Sequence, residues 1–415
     1  MRVLIVADNA SMQFSGEAAL SLYYFDRLRE RNLDVMMICH ARCKEELRRR
    51  YTEDDLFNKI FFIPDTKLQQ LLFAFGNYLP FIVKDRILGQ IIYVLTQLKA
   101  KKIAQELVKH HSLQIVFQPV PISVVTPSAI YDCGVPVIIG PMCGGMEFPP
   151  AFIHLESKLV MLSSKIARMI ANCLNILIPG KRKAKVLLVA NDRTAKALPR
   201  GCHGKIYQVI ESGVDLRIFQ PRQVKSHVTG QPVRIVYMAR FVDQKGIPYL
   251  IEAFHRAASK VDLVLELIGN GELFEASQAQ VKRLGIDSKV NFYGWMKIDK
   301  AEALIRECDI YVVPAIRDCG GCAQLEAMAI GLPIIAANWA GPGQYTDELS
   351  GVLVNVDTVE GFIDGLAEAM IRLANSPELR IQLGEGSMKR VRTNNLDWDS
   401  KVDRIVEIFK ENIQS

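Results

Sequence analysis

Short apolar runs alternate with longer helical patterns along the chain, and this alternation limits the possible folds more than any other feature. A strand buried on both faces is a continuous apolar run, and a helix between two such strands returns the chain so that they lie parallel. The sequence therefore predicts α/β structure with open parallel sheets and helices on both faces. The predicted strands are 3–7, 35–39, 115–117, 137–139, 186–190 and 206–210, then 233–238, 263–268, 290–293, 310–314 and 334–337.

A chain of 415 residues is longer than a single hydrophobic core usually supports, so we expect two domains. A polar stretch bounded by prolines, 221–232, separates the two groups of strands. We predict a first domain at 1–222, a second at 223–395 and a terminal helix within 396–415. Open sheets of this kind bind ligands at their carboxyl edges, and two of them predict a cleft between the domains.

Residues 317–333 indicate the chemistry of the second domain. Asp318 and Glu326 are separated by seven residues, and the pair Gly320-Gly321 follows the first acid. We expect a small-residue helix at 326–330, directly after a strand and a glycine turn. Free backbone N–H groups at such a turn bind phosphate, and carboxylates accept hydrogen bonds from sugar hydroxyls. A plain strand–turn–helix unit is the structural alternative.

Two cations, Arg240 and Lys245, lie in the loop that follows strand 233–238. Positive charge there would neutralise a diphosphate, more strongly as charge develops on it; a pair of solvated loop charges is the alternative. Gly269 and Gly271 form a turn after the next strand. Trp295 and Met296 follow the strand after that, where main-chain groups could contact a base.

The string from Asp318 to Pro333 resembles the donor-binding motif of family 4 retaining glycosyltransferases, E-x7-E followed by A-M-A-x-G-x-P, with Asp318 in place of the first Glu. The segment at Arg240 is similar to that family's G-R-x4-K-G motif, with Ala239 replacing Gly. Ser212-Gly213-Val214-Asp215 resembles its N-G-V-D turn, with Ser212 replacing Asn.

The resemblance implies the GT-B fold: two Rossmann-like domains facing across an interdomain cleft, with the C-terminal helix crossing back to the first domain. It implies a retaining, metal-independent hexosyltransferase that uses a UDP- or GDP-linked sugar and no cofactor. Its acceptor would be a hydroxyl of a lipid, lipid-linked or polysaccharide precursor in cell-envelope glycan synthesis. A nucleotide-sugar epimerase and a non-catalytic relative on the same fold are the alternatives.

The resemblance also implies a role for each matched residue. Asp318, Arg240 and Lys245 would be catalytic, and Glu326 would hold the ribose. The remaining donor-binding residues would be Cys319, Gly320, Gly321, Gly269, Gly271, Trp295 and Met296. On the acceptor side we expect Gly16 and Glu17, which open a helix after the first strand, and Gly144 and Gly145. Cys319-x-x-Cys322 leaves a metal or redox role open, but the pattern favours the alternative of small side chains lining a crowded loop.

Composition bears on location and partners. The nine cysteines are odd in number and scattered, which fits a reducing compartment, and the N-terminus lacks a signal-peptide layout. We therefore expect a cytoplasmic protein without a nucleic-acid partner.

Residues 1–222 hold 30 Lys and Arg against 19 Asp and Glu, a net charge of +11, which leaves −5 for residues 223–415. Two stretches combine apolar and basic residues: 68–94, and 159–185, which ends in the cluster Lys181–Lys185. They predict peripheral contact with the inner face of an anionic membrane. Buried domain helices are the alternative.

Overall fold

The computed structural model describes residues 1–79, 84, 88–156, 158–223 and 230–413. Contacts between residues divide it into two units. Unit 1 contains Met1–Gly145, Leu162–Glu211 and Lys401–Ser415, and unit 2 contains Met146–Met161 and Ser212–Ser400.

Unit 1 is built on a parallel sheet of seven strands in the order β3-β2-β1-β4-β5-β6-β7. The strands are β1 (Arg2–Val6), β2 (Asp34–His40), β3 (Ile60–Ile63), β4 (Ile115–Gln118), β5 (Val137–Met142), β6 (Val186–Val189) and β7 (Lys205–Gln208). The α-helices up to β7 are α1 (Gly16–Glu30), α2 (Lys44–Arg50), α3 (Asp54–Phe57), α4 (Lys67–Gly76), α5 (Gly89–His111), α6 (Lys158–Leu177), α7 (Gly180–Lys183) and α8 (Asp192–Lys196). Among the described residues, every helix is too short or too polar to cross a membrane.

Unit 2 repeats this plan with a parallel sheet of six strands in the order β10-β9-β8-β11-β12-β13. The strands are β8 (Val233–Met238), β9 (Leu263–Ile268), β10 (Val290–Gly294), β11 (Ile310–Val313), β12 (Ile334–Ala337) and β13 (Gly351–Val354). The remaining α-helices are α9 (Ile247–Ala258), α10 (Phe274–Arg283), α11 (Ile298–Arg306), α12 (Cys322–Ile330), α13 (Ala340–Tyr345), α14 (Val359–Ala374), α15 (Pro377–Thr393) and α16 (Trp398–Ile413). Short 3-10 turns occur at Ala41–Cys43, Pro150–Leu155, Asp243–Lys245 and Asp287–Lys289.

The fold class predicted from the sequence is confirmed, and the terminal helix does return to the first unit. The buried Lys401 donates from Nζ to the carbonyl of Ile210 at 2.7 Å, and the ring of Phe409 packs edge-on against Phe117 at 5.2 Å. An apolar face and one buried cation therefore hold residues 401–413 within unit 1.

The unit boundaries differ from those predicted, because Met146–Met161 joins the core of unit 2. Phe152 is fully buried there, with its ring edge-on to Tyr249 at 5.1 Å and to Phe362 at 5.7 Å. The chain passes from unit 1 to unit 2 between residues 211 and 212, whereas the sequence predicted this boundary between 222 and 223. It returns to unit 1 at residue 401 rather than at 396. Half of the predicted linker, 224–229, lies outside the described residues.

Candidate functional site

The carboxyl edge of the unit 2 sheet gathers the loops that the sequence singled out. The strand order reverses direction between β8 and β11, and ligands of open α/β sheets bind at such a switch point. Arg240 and Lys245 follow β8, whereas Asp318 and Glu326 follow β11. Neighbouring strands therefore present the two cations and the two acids at one place.

The loop after β8 is pressed against the end of β11. The carbonyl of Gln244 accepts hydrogen bonds from the backbone N–H groups of Ile316 and Arg317, at 3.0 and 3.2 Å. Gly246 has φ +72°, and a Cβ there would lie 2.1 Å from the carbonyl oxygen of Pro314. Only glycine accommodates both this backbone conformation and this approach. The result fixes Lys245 beside the residues that follow β11.

Lys245 and Asp318 form an ion pair between Nζ and Oδ2. Their side chains are 17% and 14% exposed, so water screens the pair only partly. Arg240 is exposed, and no ion pair involves its guanidinium in the part of the chain that the structure describes. The site thus holds one neutralised cation and one that can bind an anion.

Glu326 lies in the second turn of α12, not at its start. The helix begins at Cys322 because Gly321 serves as its N-cap, so the prediction of a helix at 326–330 was wrong at that end. Glu326 is half-buried, and burial raises the pKa of its carboxyl to about 7. Within the described ranges no protein group donates a hydrogen bond to it. This carboxylate is therefore positioned to accept hydrogen bonds from a ligand.

The loop from Asp318 to Gly321 is fixed from α13. The backbone N–H of Gly341 donates to the carbonyl of Asp318 at 3.0 Å, and a Cβ on Gly341 would lie 2.4 Å from the carbonyl oxygen of Cys319. Gly320 and Gly321 consequently run directly into α12. Cys319 is half-buried and Cys322 is exposed.

The glycine turn after β9 packs against the loop after β8. Gly269 has φ +129°, and a Cβ there would lie 1.9 Å from the carbonyl oxygen of Ala239. A Cβ on Gly271 would lie 2.5 Å from the carbonyl oxygen of Phe241. The backbone N–H of Phe241 also donates to the carbonyl of Asn270 at 2.9 Å. These glycines therefore have a structural reason to be present, which is to let the two loops meet.

A buried network that the sequence did not predict fixes the end of β10. Glu266 accepts from Arg234 at 2.7 Å, from Asn291 at 2.9 Å and from the hydroxyl of Tyr293 at 2.9 Å. These bonds satisfy a carboxylate that is almost fully buried. The next residues, Trp295 and Met296, are exposed and half-buried, at the same edge as the glycine turn.

The segment Met146–Met161 supplies second contacts to the loops of this edge. Glu156 forms an ion pair with Arg317 at 3.2 Å, and the guanidinium of Arg317 lies 4.9 Å from the ring centre of Phe148. The indole N–H of Trp339 donates to the carbonyl of Glu147 at 2.9 Å. The residue beside Asp318 is thus fixed by a segment far away in sequence.

The predicted acceptor-side residues lie at the carboxyl edge of the unit 1 sheet. Glu17 accepts from the backbone N–H of Ile122 at 2.9 Å through Oε1, and a Cβ on Gly16 would meet open space. Gly144 and Gly145 are closely packed: added Cβ atoms would lie 2.5 Å from Val124 and 2.9 Å from Ala197. This packing accounts for both glycines without a ligand.

Apolar side chains are exposed on two helices of unit 1. On α4 and just beyond it, Leu71 is 68% and Tyr78 is 87% exposed, and on α6 Leu177 is 76% exposed. The others with large exposed fractions are Leu68, Phe73, Phe75, Met169, Ile170 and Ile176. The parts of the two predicted membrane stretches at 80–83 and 85–87, and the side chains of 158–167, lie outside the described residues.

The basic cluster Lys181–Lys185 is only partly exposed: Lys183 and Lys185 are exposed, whereas Lys181 is not. Lys181 is buried and donates to the carbonyls of Ser123 and Val124 at 2.7 and 2.8 Å. Burial lowers the pKa of Lys181 to about 7. Lys183 forms an ion pair with Asp132 at 2.6 Å.

Comparison with known proteins agrees with this geometry. Residues 220–390 match the profile of the family described as "Glycosyl transferases group 1". The chain is 27% identical to the uncharacterized glycosyltransferase MJ1178 of Methanocaldococcus jannaschii, over 42% of this chain and 47% of that protein. It is 30% identical to the lipopolysaccharide core biosynthesis glycosyltransferase LpsE of Rhizobium meliloti, over 36% of this chain and 42% of that protein. The chain spans about half the length of the curated relatives it matches.

The likeness to solved structures extends over both units. HepE of Anabaena in complex with UDP superposes with a TM-score of 0.63 at 14% identity, covering 99% of this chain and 100% of that one. HepE has also been solved with UDP-glucose. The fold is that of the GT-B glycosyltransferases, and residues 220–390 carry the sequence signature of the group 1 glycosyltransferases.

Proposed function

We propose that this protein transfers a hexose from a nucleotide-sugar to a hydroxyl acceptor, with retention of configuration. The observation that carries the proposal is the grouping of Arg240, the Lys245–Asp318 pair and the unpartnered Glu326 at one switch point. A nucleotide-sugar offers a diphosphate for the cations and hydroxyls for the acids. The match of residues 220–390 to the group 1 profile, and the UDP bound by HepE, support this assignment.

Each residue takes a defined role in this proposal. Glu326 accepts hydrogen bonds from the ribose hydroxyls; Asp318 and the backbone of Cys319, Gly320 and Gly321 bind the hexose. The turn with Gly269 and Gly271, together with Trp295 and Met296, borders the nucleotide, which is UDP or GDP. In unit 1, Gly16, Glu17, Gly144 and Gly145 border the acceptor.

The ion pair between Lys245 and Asp318 adds a step that sequence reasoning did not include. In the free protein Lys245 is neutralised, so Arg240 is the member of this pair of cations that offers uncompensated charge to an incoming diphosphate. When the diphosphate binds, Lys245 can donate to one of its oxygens while Asp318 still accepts from another Nζ proton. Asp318 thereby orients Lys245, and the carboxylate of Asp318 can also accept a hydrogen bond from a hexose hydroxyl.

Transfer then breaks the bond from the anomeric carbon to the diphosphate oxygen and forms the bond to the acceptor oxygen on the same face. The acceptor's proton passes to the leaving diphosphate, whose growing charge Arg240 and Lys245 stabilise. Positive charge that is preorganised in this way acts without reorganisation at the moment of reaction.

We also propose that unit 1 binds an anionic membrane surface, which would place the enzyme at the inner face of the cytoplasmic membrane. The exposed apolar residues of α4 and α6 could enter the interface, and the net charge of +11 in residues 1–222 favours anionic lipid. The lysines of the cluster at 181–185 that are buried or ion-paired contribute little to this attraction.

The proposed activity is tested by following nucleotide release and product configuration. The full chain is incubated with UDP- and GDP-hexoses, with and without a panel of hydroxyl acceptors. We expect acceptor-dependent release of one nucleotide, retention of the anomeric configuration, and loss of nearly all activity in Glu326→Ala, because a hydrogen bond to a charged acceptor contributes about 1.5–3 kcal/mol. Glu368→Gln, an exposed change on α14, serves as the matched control. An epimerised nucleotide-sugar without nucleotide release, or full activity in folded Glu326→Ala, would contradict the proposal.

A further inference from the structure

Two contacts from one distant segment hold the loop that follows β11. The segment is 147–156, which belongs to unit 2 although the chain on either side of 146–161 belongs to unit 1. Glu156 forms an ion pair with Arg317 at 3.2 Å, and the carbonyl of Glu147 accepts from the indole N–H of Trp339 at 2.9 Å. Both partners adjoin the loop, because Arg317 belongs to it and Trp339 is the N-cap of α13, which touches it.

The contact with Arg317 acts directly before the acid of the candidate site. The guanidinium of Arg317 is paired with Glu156 and lies 4.9 Å from the ring centre of Phe148, so two residues of the segment fix its direction. The backbone N–H of Arg317 donates to the carbonyl of Gln244 at 3.2 Å. Side chain and backbone therefore hold the chain at one point, immediately before Asp318.

The contact with Trp339 acts on the other side of the same loop. Two residues after Trp339, the backbone N–H of Gly341 donates to the carbonyl of Asp318 at 3.0 Å. Gly341 approaches the loop so closely that an added Cβ would lie 2.4 Å from the carbonyl oxygen of Cys319. The segment 147–156 thus holds the start of α13, and the start of α13 holds the loop.

The segment is itself anchored, and its ion pair is not part of that anchor. Phe152 is fully buried, with its ring edge-on to Tyr249 and Phe362. The side chains of Glu156 and Arg317 are instead 14% and 31% exposed. A partly exposed ion pair contributes little to the stability of a whole domain, but it can restrict a loop whose local stability is lower.

We propose that Glu156 and Arg317 are positioning residues for the donor hexose. Their ion pair fixes the loop so that the carboxylate of Asp318 and the backbone of Gly320 and Gly321 lie where they can bind the hexose, which neither member of the pair touches. Such support matters because a displacement of about 1 Å at a substrate can lower a rate by roughly a hundredfold. The proposal rests on the function proposed above, since that function places the hexose at Asp318.

Three variants of the full chain test this role. Glu156→Gln removes one charge of the pair, and the double variant Glu156→Gln/Arg317→Met removes both and so keeps the net charge of the wild type. Glu302→Gln is the matched control. Glu302 pairs with Arg306, their side chains are 18% and 30% exposed, and they lie in α11, which leads into the opposite end of β11.

Binding is measured by calorimetric titration with UDP-glucose and UDP, and with GDP-mannose and GDP. For the pair of probes that the wild type binds, we expect the dissociation constant of the nucleotide-hexose to rise about tenfold in Glu156→Gln and in the double variant. The dissociation constant of the nucleotide alone should change less than about twofold, because the loop holds the hexose and not the nucleotide. Glu302→Gln should match the wild type with every probe.

Hydrogen exchange of the ligand-free protein tests the same contact without reference to function. The amide of Arg317 should exchange about tenfold faster in Glu156→Gln and in the double variant, because its hydrogen bond to Gln244 opens more often. The melting temperature should fall by no more than about 3 °C. A merely structural ion pair would lower the melting temperature without changing the ratio of the two dissociation constants.

Three results would overturn the proposal. They are an unchanged ratio of the two dissociation constants in Glu156→Gln, an unchanged exchange rate at Arg317, and recovery of hexose binding in the double variant, which would show that charge rather than position matters. A wild type that binds none of the four probes would count against the function proposed above, and the exchange rate at Arg317 would then decide whether the ion pair holds the loop.

Discussion

Replacing Glu326 with glutamine is expected to stabilise the free protein, by an amount that depends on pH. Burial raises the pKa of this carboxyl from its ordinary value of 4.5 to about 7. Each pKa unit between the folded and unfolded states corresponds to about 1.4 kcal/mol. Ionised Glu326 therefore lowers the free energy of unfolding by roughly 3 kcal/mol, and glutamine cannot ionise.

The direction of the pH dependence follows from the raised pKa. The folded protein holds this proton more tightly than the unfolded chain, so stability falls as the pH rises between 4.5 and about 7. The cost is absent below the lower value and complete above the upper one. We expect Glu326→Gln to gain about 1 kcal/mol at pH 5 and roughly 3 kcal/mol at pH 8.

Urea denaturation followed by tryptophan fluorescence measures this gain in the right part of the molecule. All three tryptophans, Trp295, Trp339 and Trp398, belong to unit 2, as does Glu326. Exposed Glu368→Gln should show no such pH dependence. If Glu326→Gln gained the same stability at both pH values, or lost stability at pH 8, the carboxylate would not be the strained, unpartnered group described above.

Three further predictions concern catalysis, packing and the membrane. Arg240→Ala and Lys245→Ala should each lower the transfer rate more than tenfold while activity persists in excess chelator, because these cations stabilise the leaving charge; a strict requirement for Mg²⁺ or Mn²⁺ would refute this. Phe152→Ala should destabilise unit 2 by about 3–5 kcal/mol in the same fluorescence assay, since it empties a buried aromatic site, and an unchanged midpoint would show that Met146–Met161 is not part of that core. The protein should sediment with anionic liposomes at low salt, less so as salt screens the charges, and not in the variant Leu71→Glu/Phe75→Glu. Retention in the supernatant with anionic vesicles would refute membrane binding.

The positions of most strands could be predicted from the sequence because most are continuous apolar runs, although β7 and β10 expose several of their residues. The structure places strands at all eleven predicted runs, with ends within three residues. The two strands that were missed, β3 and β13, are four residues long and lie at the edges of their sheets. Both are apolar runs in sequence, IFFI and GVLV, so the same reasoning would have predicted them.

The sequence placed the site residues at the ends of particular strands, but it did not identify the side chains that they contact. The sequence placed Lys245 and Asp318 at neighbouring strand ends, and the structure shows that they pair. It gave no sign of the contact between Arg317 and Glu156, which are 161 residues apart. Lys181 was misread for the same reason: a basic run suggests a solvated surface, whereas two carbonyls of a distant loop bury this lysine.

The two sheets share one topology around their first strands, yet the chemistry at their switch points differs. In unit 2 the loops after β8 and β11 bring Arg240 and Lys245 together with Asp318 and Glu326. In unit 1 the corresponding loops, after β1 and β4, bring Asp8 and Glu17 to a small cavity that Tyr93 also borders. An anionic diphosphate is electrostatically favoured at the first of these places and disfavoured at the second. Sugar hydroxyls suit the first of these places, because no group in the described part of the chain donates a hydrogen bond to Glu326. Under the function proposed above, the charged diphosphate of the donor would therefore bind at the switch point of unit 2, where the charge of the loops favours it.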